Sequence, residues 1–162
     1  MRPPFSISCG TDSSRPVGVI APAYYLGGSA GTNYYRNQTA STPAFNASNI
    51  SVTCTGNYLG GGSVITNWKV DLSAISSLTA SINVFDQYET YSYFYIHILN
   101  SWPTINADNT SVAATYVTGV SKTTSVTLNT SGLSGGYYVL MGFSNNNSRS
   151  FTGYIYSLKC NF

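Results

Sequence analysis

The residues best suited to bind a ligand form an aromatic row. Tyr91, Tyr93 and Tyr95 recur at every second position, and His97 continues the row. On an extended strand such side chains share one face and stand about 7 Å apart. Rings at this spacing can stack on successive sugar rings or cover the apolar patch of a partner. Alternatively, the row fills a second layer of the protein. Trp102 is a further candidate for ligand binding, with burial as a loop anchor as its alternative.

Catalytic chemistry has few candidate residues. His97 is the only histidine, and no G-x-S-x-G turn marks a nucleophile for it to activate. A lone histidine on a tyrosine-bearing face is typical of a surface or interface residue. Asp86 and Glu89 could act as a pair of glycosidase carboxylates. The same pair, or Asp108 with Asn106 and Asn109, could bind calcium. Acids in exposed loops are more often simply solvated, so we predict no catalytic residue, metal or cofactor.

The composition excludes several classes of partner. Charged residues make up 7% of the 162 residues, against roughly a quarter in ordinary soluble domains. The net charge is +2, and the seven basic residues are scattered, whereas a nucleic-acid binder concentrates them in a patch. No stretch approaches the roughly 20 apolar residues of a membrane span. We therefore predict no nucleic-acid binding and no membrane insertion.

The three cysteines do not form a recognisable framework. Cys9, Cys54 and Cys160 are odd in number and too widely spaced for a C-x-x-C metal pair. One bridge with a free thiol is possible, and so is a set of three buried thiols. We favour three reduced cysteines.

The elements that position the aromatic row are strands. Residues 68–72 and 78–85 alternate apolar and polar side chains around a short polar bend, which is the two-residue period of half-buried strands. The same rhythm predicts a strand from 64 or 65 to 72 and further strands at 49–55, 91–99, 112–117, 125–128, 137–143 and 151–158. Short strands at this spacing indicate an all-β chain, an antiparallel β-sandwich of the jelly-roll type. An immunoglobulin-type sandwich is the alternative.

The N-terminal segment differs in composition from the rest of the chain. Prolines and glycines interrupt residues 1–45, which we predict to be an irregular arm with at most short strands, at 17–20 and 24–26. Residues 46–162 form the predicted sandwich. The arm either drapes over its own domain or docks onto a neighbouring subunit. In the second case its anchors are four tyrosines, Tyr24, Tyr25, Tyr34 and Tyr35.

Three segments of the chain carry motifs that form a recognisable set. The first reads Trp68-Lys69-Val70-Asp71-Leu72-Ser73, followed by Ser76-Ser77-Leu78. The second reads Val126-Thr127-Leu128, followed by Ser131-Gly132-Leu133-Ser134-Gly135-Gly136-Tyr137-Tyr138-Val139. The third reads Tyr154-Ile155-Tyr156-Ser157-Leu158. Together these segments resemble β-sandwich domains of bacteriophage structural and tail proteins. The resemblance covers residues 48–162 and implies a virion protein, with no catalytic residues to transfer.

Two functional hypotheses follow. The first is a non-enzymatic bacteriophage virion protein, a capsid decoration, fibre or tail appendage subunit. It assembles with other virion proteins and with copies of itself, on a particle surface, after synthesis in the host cytoplasm. The second is a carbohydrate-binding module that recognises cell-surface glycans. Its candidate binding residues lie on the aromatic strand face and in the following loop: Tyr91, Tyr93, Tyr95, His97 and Trp102.

Overall fold

The computed structural model describes residues 6–8, 19–21, 26–27, 43–46, 48–54, 61–66, 68–85, 92–103, 109–118, 124–145 and 150–162. None of these residues is helical. Four short strands come first: β1 (Ser6–Ser8), β2 (Val19–Ala21), β3 (Leu26–Gly27) and β4 (Ala44–Phe45). The strands that follow are β5 (Ile50–Cys54), β6 (Gly61–Ile65), β7 (Val70–Asp71), β8 (Ser77–Phe85), β9 (Ser92–Leu99), β10 (Asn109–Thr110), β11 (Ala113–Thr118), β12 (Thr124–Asn129), β13 (Gly136–Asn145) and β14 (Phe151–Asn161). The prediction of an all-β chain is confirmed.

Most strands belong to two sheets. Sheet A has the order β12-β8-β14-β5-β4, with β1 pairing in parallel along β14. Sheet B has the order β11-β9-β13-β6-β2, and β7 pairs with the start of β13. The ladders along these two orders are all antiparallel. Strands that follow one another, such as β8 and β9 or β12, β13 and β14, alternate between the sheets. This wrapping gives the strand order of a jelly roll, and the predicted antiparallel β-sandwich is confirmed.

The core lies between the sheets and follows the alternation of the long strands. Every second side chain of β8 and β9 is buried there: Leu78, Ala80, Ile82 and Val84 from β8, and Phe94, Ile96 and Ile98 from β9. The predicted inward face of β9 is therefore confirmed. Opposite it, Phe143 of β13 packs directly on Gly153 of β14, where an added Cβ would lie 2.6 Å from the ring. The missing side chain at Gly153 lets the two sheets close on each other.

The strand predicted from residue 64 or 65 to 72 is interrupted in the structure. β6 ends before Thr66, and pairing resumes only at Val70, opposite Tyr137. Between the two strands, the N–H of Thr66 donates to the carbonyl of Val139 at 3.0 Å. The Thr66 hydroxyl accepts a hydrogen bond from the N–H of Val139, also at 3.0 Å. Because this side chain replaces a backbone partner, the ladder breaks here and β6 and β7 are separate strands.

Parts of the first two segments that carry the family resemblance meet at one corner of the sandwich. The N–H of Leu72 donates to the carbonyl of Gly135 at 3.0 Å, and the Gly135 N–H donates to Oγ of Ser73 at 2.9 Å. Close by, the buried hydroxyl of Thr130 donates to the carbonyl of Ile75 at 2.7 Å. These bonds fix the turns that join the two sheets. The residues of these two segments therefore stabilise the fold.

The N-terminal segment adds short strands to both sheets. β1 and β4 join sheet A, and β2 joins sheet B. The predicted strands at 17–20 and 24–26 overlap β2 and β3, each of which extends one residue further. The tyrosines predicted as anchors, Tyr24, Tyr25, Tyr34 and Tyr35, lie outside the described residues. The division at residue 45 stays a prediction.

The cysteines differ from the prediction. Cys54 is a free, buried thiol whose pKa is strongly raised by burial. Cys160 is disulfide-bonded, so the prediction of three reduced cysteines is wrong. The physical reason is the parallel pairing of β1 with β14, which sets Ser8 opposite Lys159, the residue just before Cys160. Cys9 lies outside the described residues.

Candidate functional site

The predicted tyrosine row lies on the face of sheet B that points away from the core, but this face is not open. Tyr95 and His97 are only 5% and 6% exposed, and Tyr93 is half-buried. A second, smaller apolar cluster occupies the same face: Ile65, Tyr95, Leu99 and Leu140. The structure therefore contradicts the expectation of an accessible row ending in a surface histidine. Tyr91 lies outside the described residues.

A glycine explains how the Tyr95 side chain is accommodated. Gly142 of β13 pairs with Tyr95 on one side and Ser63 on the other. A Cβ at Gly142 would lie 2.5 Å from the phenol oxygen of Tyr95. The tyrosine therefore lies flat across β13 and does not project toward a ligand.

His97 is buried beside Tyr95. The two rings meet edge to face with centroids 5.5 Å apart. Nδ1 of His97 is buried and has no hydrogen-bond partner. Burial lowers the pKa of His97 to about 4 from an ordinary 6.5, because the imidazolium is poorly solvated there. His97 therefore stays neutral at physiological pH and acts as a packing residue.

The buried histidine makes the fold sensitive to acid. In the unfolded chain His97 takes up a proton below about pH 6.5, whereas in the folded chain it does so only near pH 4. The contribution of the neutral His97 to the free energy of unfolding is therefore complete above pH 6.5 and is lost as the pH falls from 6.5 to 4. Lowering the pH from 8 to 5 should cost about 2 kcal/mol of unfolding free energy. Urea denaturation at the two pH values checks this, with His97→Gln as the variant that lacks the titrating group. An equal loss in His97→Gln contradicts the prediction.

Among the predicted site residues that the structure describes, Trp102 alone is well exposed. Its indole is 40% exposed and meets the ring of Tyr138 edge to face, with centroids 5.3 Å apart. The Lys69 ammonium lies 5.7 Å from the centre of the Tyr138 ring, within cation–π distance. Because Tyr138 already contacts both neighbours, the patch offers a ligand little beyond a single indole.

The outward face of sheet A is polar on each of its long strands. Its side chains, which alternate with buried core residues, are neutral hydrogen-bonding groups: Ser51 and Thr53 of β5, Thr79, Ser81 and Asn83 of β8, Ser125, Thr127 and Asn129 of β12, and Thr152 of β14. Some bond across strands; the hydroxyl oxygens of Thr79 and Thr127, for example, lie 3.0 Å apart. These side chains are half-buried or exposed, in contrast to Tyr95 and His97 of sheet B.

Two tyrosines stand in the middle of this polar face. Tyr154 and Tyr156 belong to β14, which runs between β8 and β5. Their half-buried rings are nearly parallel, with an interplanar angle of 13° and centroids 6.5 Å apart. Tyr154 pairs with Ser51 on one side and with Asn83 on the other. The pair therefore forms a short aromatic platform bordered by hydroxyl and amide groups.

The polar groups beside the platform are held by bonds to one another. The Asn46 side-chain amide donates to Oδ1 of Asn49 at 2.9 Å and to Oγ of Ser51 at 3.2 Å. The hydroxyl oxygens of Thr53 and Thr152 lie 3.4 Å apart. Such bonds orient donors and acceptors before a ligand arrives, which reduces the entropy cost of binding.

Charged groups are few in the part of the chain that the structure describes. Lys159 lies on sheet A, whereas Lys69 and Asp71 lie at β7. The Asp71 carboxylate accepts bonds from the N–H and hydroxyl of Ser73 at 2.9 and 2.6 Å, which lower its pKa. Three predicted loop acids lie outside the described residues: Asp86, Glu89 and Asp108. Within the described ranges, no group of three or more His, Cys, Asp and Glu could hold a metal ion, and no helix is long and apolar enough to cross a membrane.

Tyr154 and Tyr156 were not among the site residues predicted from the sequence. The signal was visible, because Thr152, Tyr154 and Tyr156 alternate with the buried Phe151, Gly153 and Ile155 of the same strand. The longer row of tyrosines on β9 favoured a site on sheet B in the prediction.

No protein-family model matches the sequence, and no curated protein matches it. Several solved structures resemble the fold, among them the following three. An arabinoxylan arabinofuranohydrolase of glycoside hydrolase family 43 from Bacillus subtilis, in complex with cellotetraose, matches 74% of this chain and 22% of its own, at 17% identity and TM-score 0.45. A structure of carbohydrate-binding modules from the β-sandwich superfamily matches 76% of this chain and 48% of its own, at 13% identity and TM-score 0.47. A family 29 carbohydrate-binding module matches 87% of this chain and 90% of its own, at 13% identity and TM-score 0.44.

The chain thus spans about a fifth and about half of the first two of these structures. With identities of at most 17% and TM-scores below 0.5, the likeness concerns the fold alone. The function proposed below rests on the side chains of this chain.

Proposed function

We propose that the protein is a non-catalytic carbohydrate-binding β-sandwich whose ligand lies on the outward face of sheet A. The observation that carries the proposal is the parallel pair of rings, Tyr154 and Tyr156, at the centre of a neutral polar face. This proposal keeps the carbohydrate-binding hypothesis of the sequence analysis and moves its site to the opposite sheet.

The chemistry of the face matches the chemistry of a sugar. A sugar ring carries C–H groups on its faces and hydroxyls on its rim. The electron-rich face of a tyrosine attracts the partly positive C–H groups. The Ser, Thr and Asn side chains around the rings both donate and accept hydrogen bonds, as sugar hydroxyls do. A glycan running along β14 can therefore stack on the two rings and bond to the groups beside them.

The alternative site on sheet B is less suitable. Tyr95 and His97 are buried, so they offer no surface to a ligand. Trp102 is exposed, but it stands beside Tyr138 at an interplanar angle of 90°, so the two rings do not form a common platform.

Removing either ring of the platform should weaken glycan binding. Tyr154→Ala and Tyr156→Ala are each expected to raise Kd at least about tenfold, or about 1.4 kcal/mol, because each variant loses one stacking surface. A glycan array identifies a ligand for the wild type, and isothermal titration then measures Kd for each variant.

Tyr116 is a matched control. It is 71% exposed and lies on β11 of sheet B, so Tyr116→Ala should leave Kd unchanged. Trp102→Ala tests the site predicted from the sequence in the same experiment. A blank array, or binding that depends on Trp102 and not on the two platform tyrosines, excludes the proposed site.

The bacteriophage resemblance adds a context to this proposal. A glycan-binding domain on the surface of a virus particle would serve attachment to the host, alone or as a homo-oligomer with other virion proteins. The disulfide at Cys160 supports a place of action outside a reducing cytoplasm, since disulfides persist in oxidising surroundings. Mass spectrometry of purified particles tests the virion assignment, which fails if the protein is absent from them.

A further inference from the structure

The strand that carries the platform contains a β-bulge. Along β14, Ile155 pairs with Ile82 of β8, but the next pair joins Ser157 to Ser81, so Tyr156 is an extra residue between these two pairs. A bulge of this kind shifts the alternation of the strand by one residue. Such bulges often re-aim side chains next to functional sites.

The bulge places a lysine on the same face as the two tyrosines. Tyr154 and Tyr156 lie on the outward face before the shift. After it, Leu158 is buried in the core and Lys159 is exposed. On a regular strand, residues 155, 157 and 159 would lie on the same face, so Lys159 would point into the core as Ile155 does. The irregularity therefore adds a positive charge to the aromatic row.

This charge has no counterpart on the described part of the face. Asp71 is the only aspartate or glutamate among the described residues, and it belongs to β7, which pairs with β13. Lys159 pairs with Thr79 of β8 on one side and with Ser8 of β1 on the other, and Thr79 pairs in turn with Thr127 of β12. None of these three residues is charged. Lys159 lies three residues beyond Tyr156, about 10 Å along the strand, which is within the span of a short oligosaccharide.

We propose that the face selects acidic glycans. In this arrangement, which rests on the proposed function, sugar rings lie on Tyr154 and Tyr156. The carboxylate of a uronic or sialic acid residue further along the glycan accepts a charge-assisted hydrogen bond from the Lys159 ammonium. Such bonds are stronger than neutral ones. With no nearby acid on the described face to compete for the ammonium, the ligand supplies the missing negative charge.

The test uses matched glycan pairs on an array, each carboxylate-bearing glycan beside the same glycan with its carboxylate reduced to an alcohol. We expect the wild type to bind the acidic member at least about tenfold more tightly, and the preference to shrink as NaCl rises from about 50 to about 500 mM. Lys159→Gln should abolish the preference by weakening binding to the acidic member the more, because only that member loses a charge-assisted bond, whereas Lys159→Arg should retain the preference. Lys69→Gln, which removes a lysine outside sheet A, is the matched control and should behave as wild type.

The outcomes separate this inference from the proposed function. Equal binding of both members by the wild type, or an acid preference that survives Lys159→Gln, overturns the acidic selectivity. If binding in that case still depends on Tyr154 and Tyr156, the carbohydrate-binding function stands. Binding of neither member removes the proposed function, and the selectivity falls with it.

Discussion

Replacing Cys160 with serine should lower the free energy of unfolding by about 4 kcal/mol, the largest effect expected of any single change discussed. Cys160 is disulfide-bonded and Cys54 is free, so we expect the third cysteine of the sequence, Cys9, to be the partner of Cys160. A bridge between positions 9 and 160 closes a loop of more than a hundred residues. In the chain-entropy account, long loops restrict the unfolded chain the most, and native bridges typically contribute about 2–5 kcal/mol.

Urea denaturation of protein prepared under oxidising conditions measures this effect. Reductant should destabilise the wild type by a similar amount and leave Cys160→Ser unaffected. Cys160→Ala repeats the test without introducing a hydroxyl at a buried position. Thiol titration of the denatured, unreduced wild type should count one thiol, that of Cys54. Three reactive thiols before reduction would mean that no bridge exists and would remove the basis of the prediction.

The sequence was sufficient to predict the layers of the fold, because apolar residues at every second position of β8 and β9 indicate which side chains face the core. Phe94, Ile96 and Ile98 lie where their period places them. The same period could not show whether the opposite side of β9 is open. Alternation defines which residues share a face, whereas the burial of Tyr95 and His97 depends on packing between strands distant in the chain.

Three further features depend on pairing register, which a single sequence does not specify. The break between β6 and β7 arises because Thr66 bonds to Val139 of another strand. The bulge at Tyr156 becomes visible only when β14 is aligned with β8. The proximity of Cys160 to the N-terminal segment requires the parallel pairing of β1. An odd number of cysteines could not distinguish this bridge from three free thiols.

Substituting alanine for Gly142 should destabilise the fold by about 3 kcal/mol, because the added methyl group has no space. Its Cβ would be closest to the main-chain carbonyl oxygen of Gly62, followed by the Tyr95 phenol oxygen at 2.5 Å and Cβ of Ser63 at 2.8 Å. The Tyr95 ring could move only by disturbing the apolar cluster around it, and the carbonyl belongs to the backbone of the adjacent strand. The melting temperature should fall by roughly 6–12 °C for a domain of this size.

Gly132→Ala separates this collision from the general cost of losing a glycine. Gly132 has φ +88° and no atom within 4 Å of an added Cβ, so its substitution carries backbone strain alone, about 1–2 kcal/mol. At Gly142 the backbone is ordinary β-strand, and the expected loss comes entirely from contacts on both sides of β13. Calorimetry or urea titration of the two variants should therefore rank Gly142→Ala as the more damaging. The reverse order would mean that both the Gly62 carbonyl and the Tyr95 ring can move aside, and would contradict the tight packing described for this face.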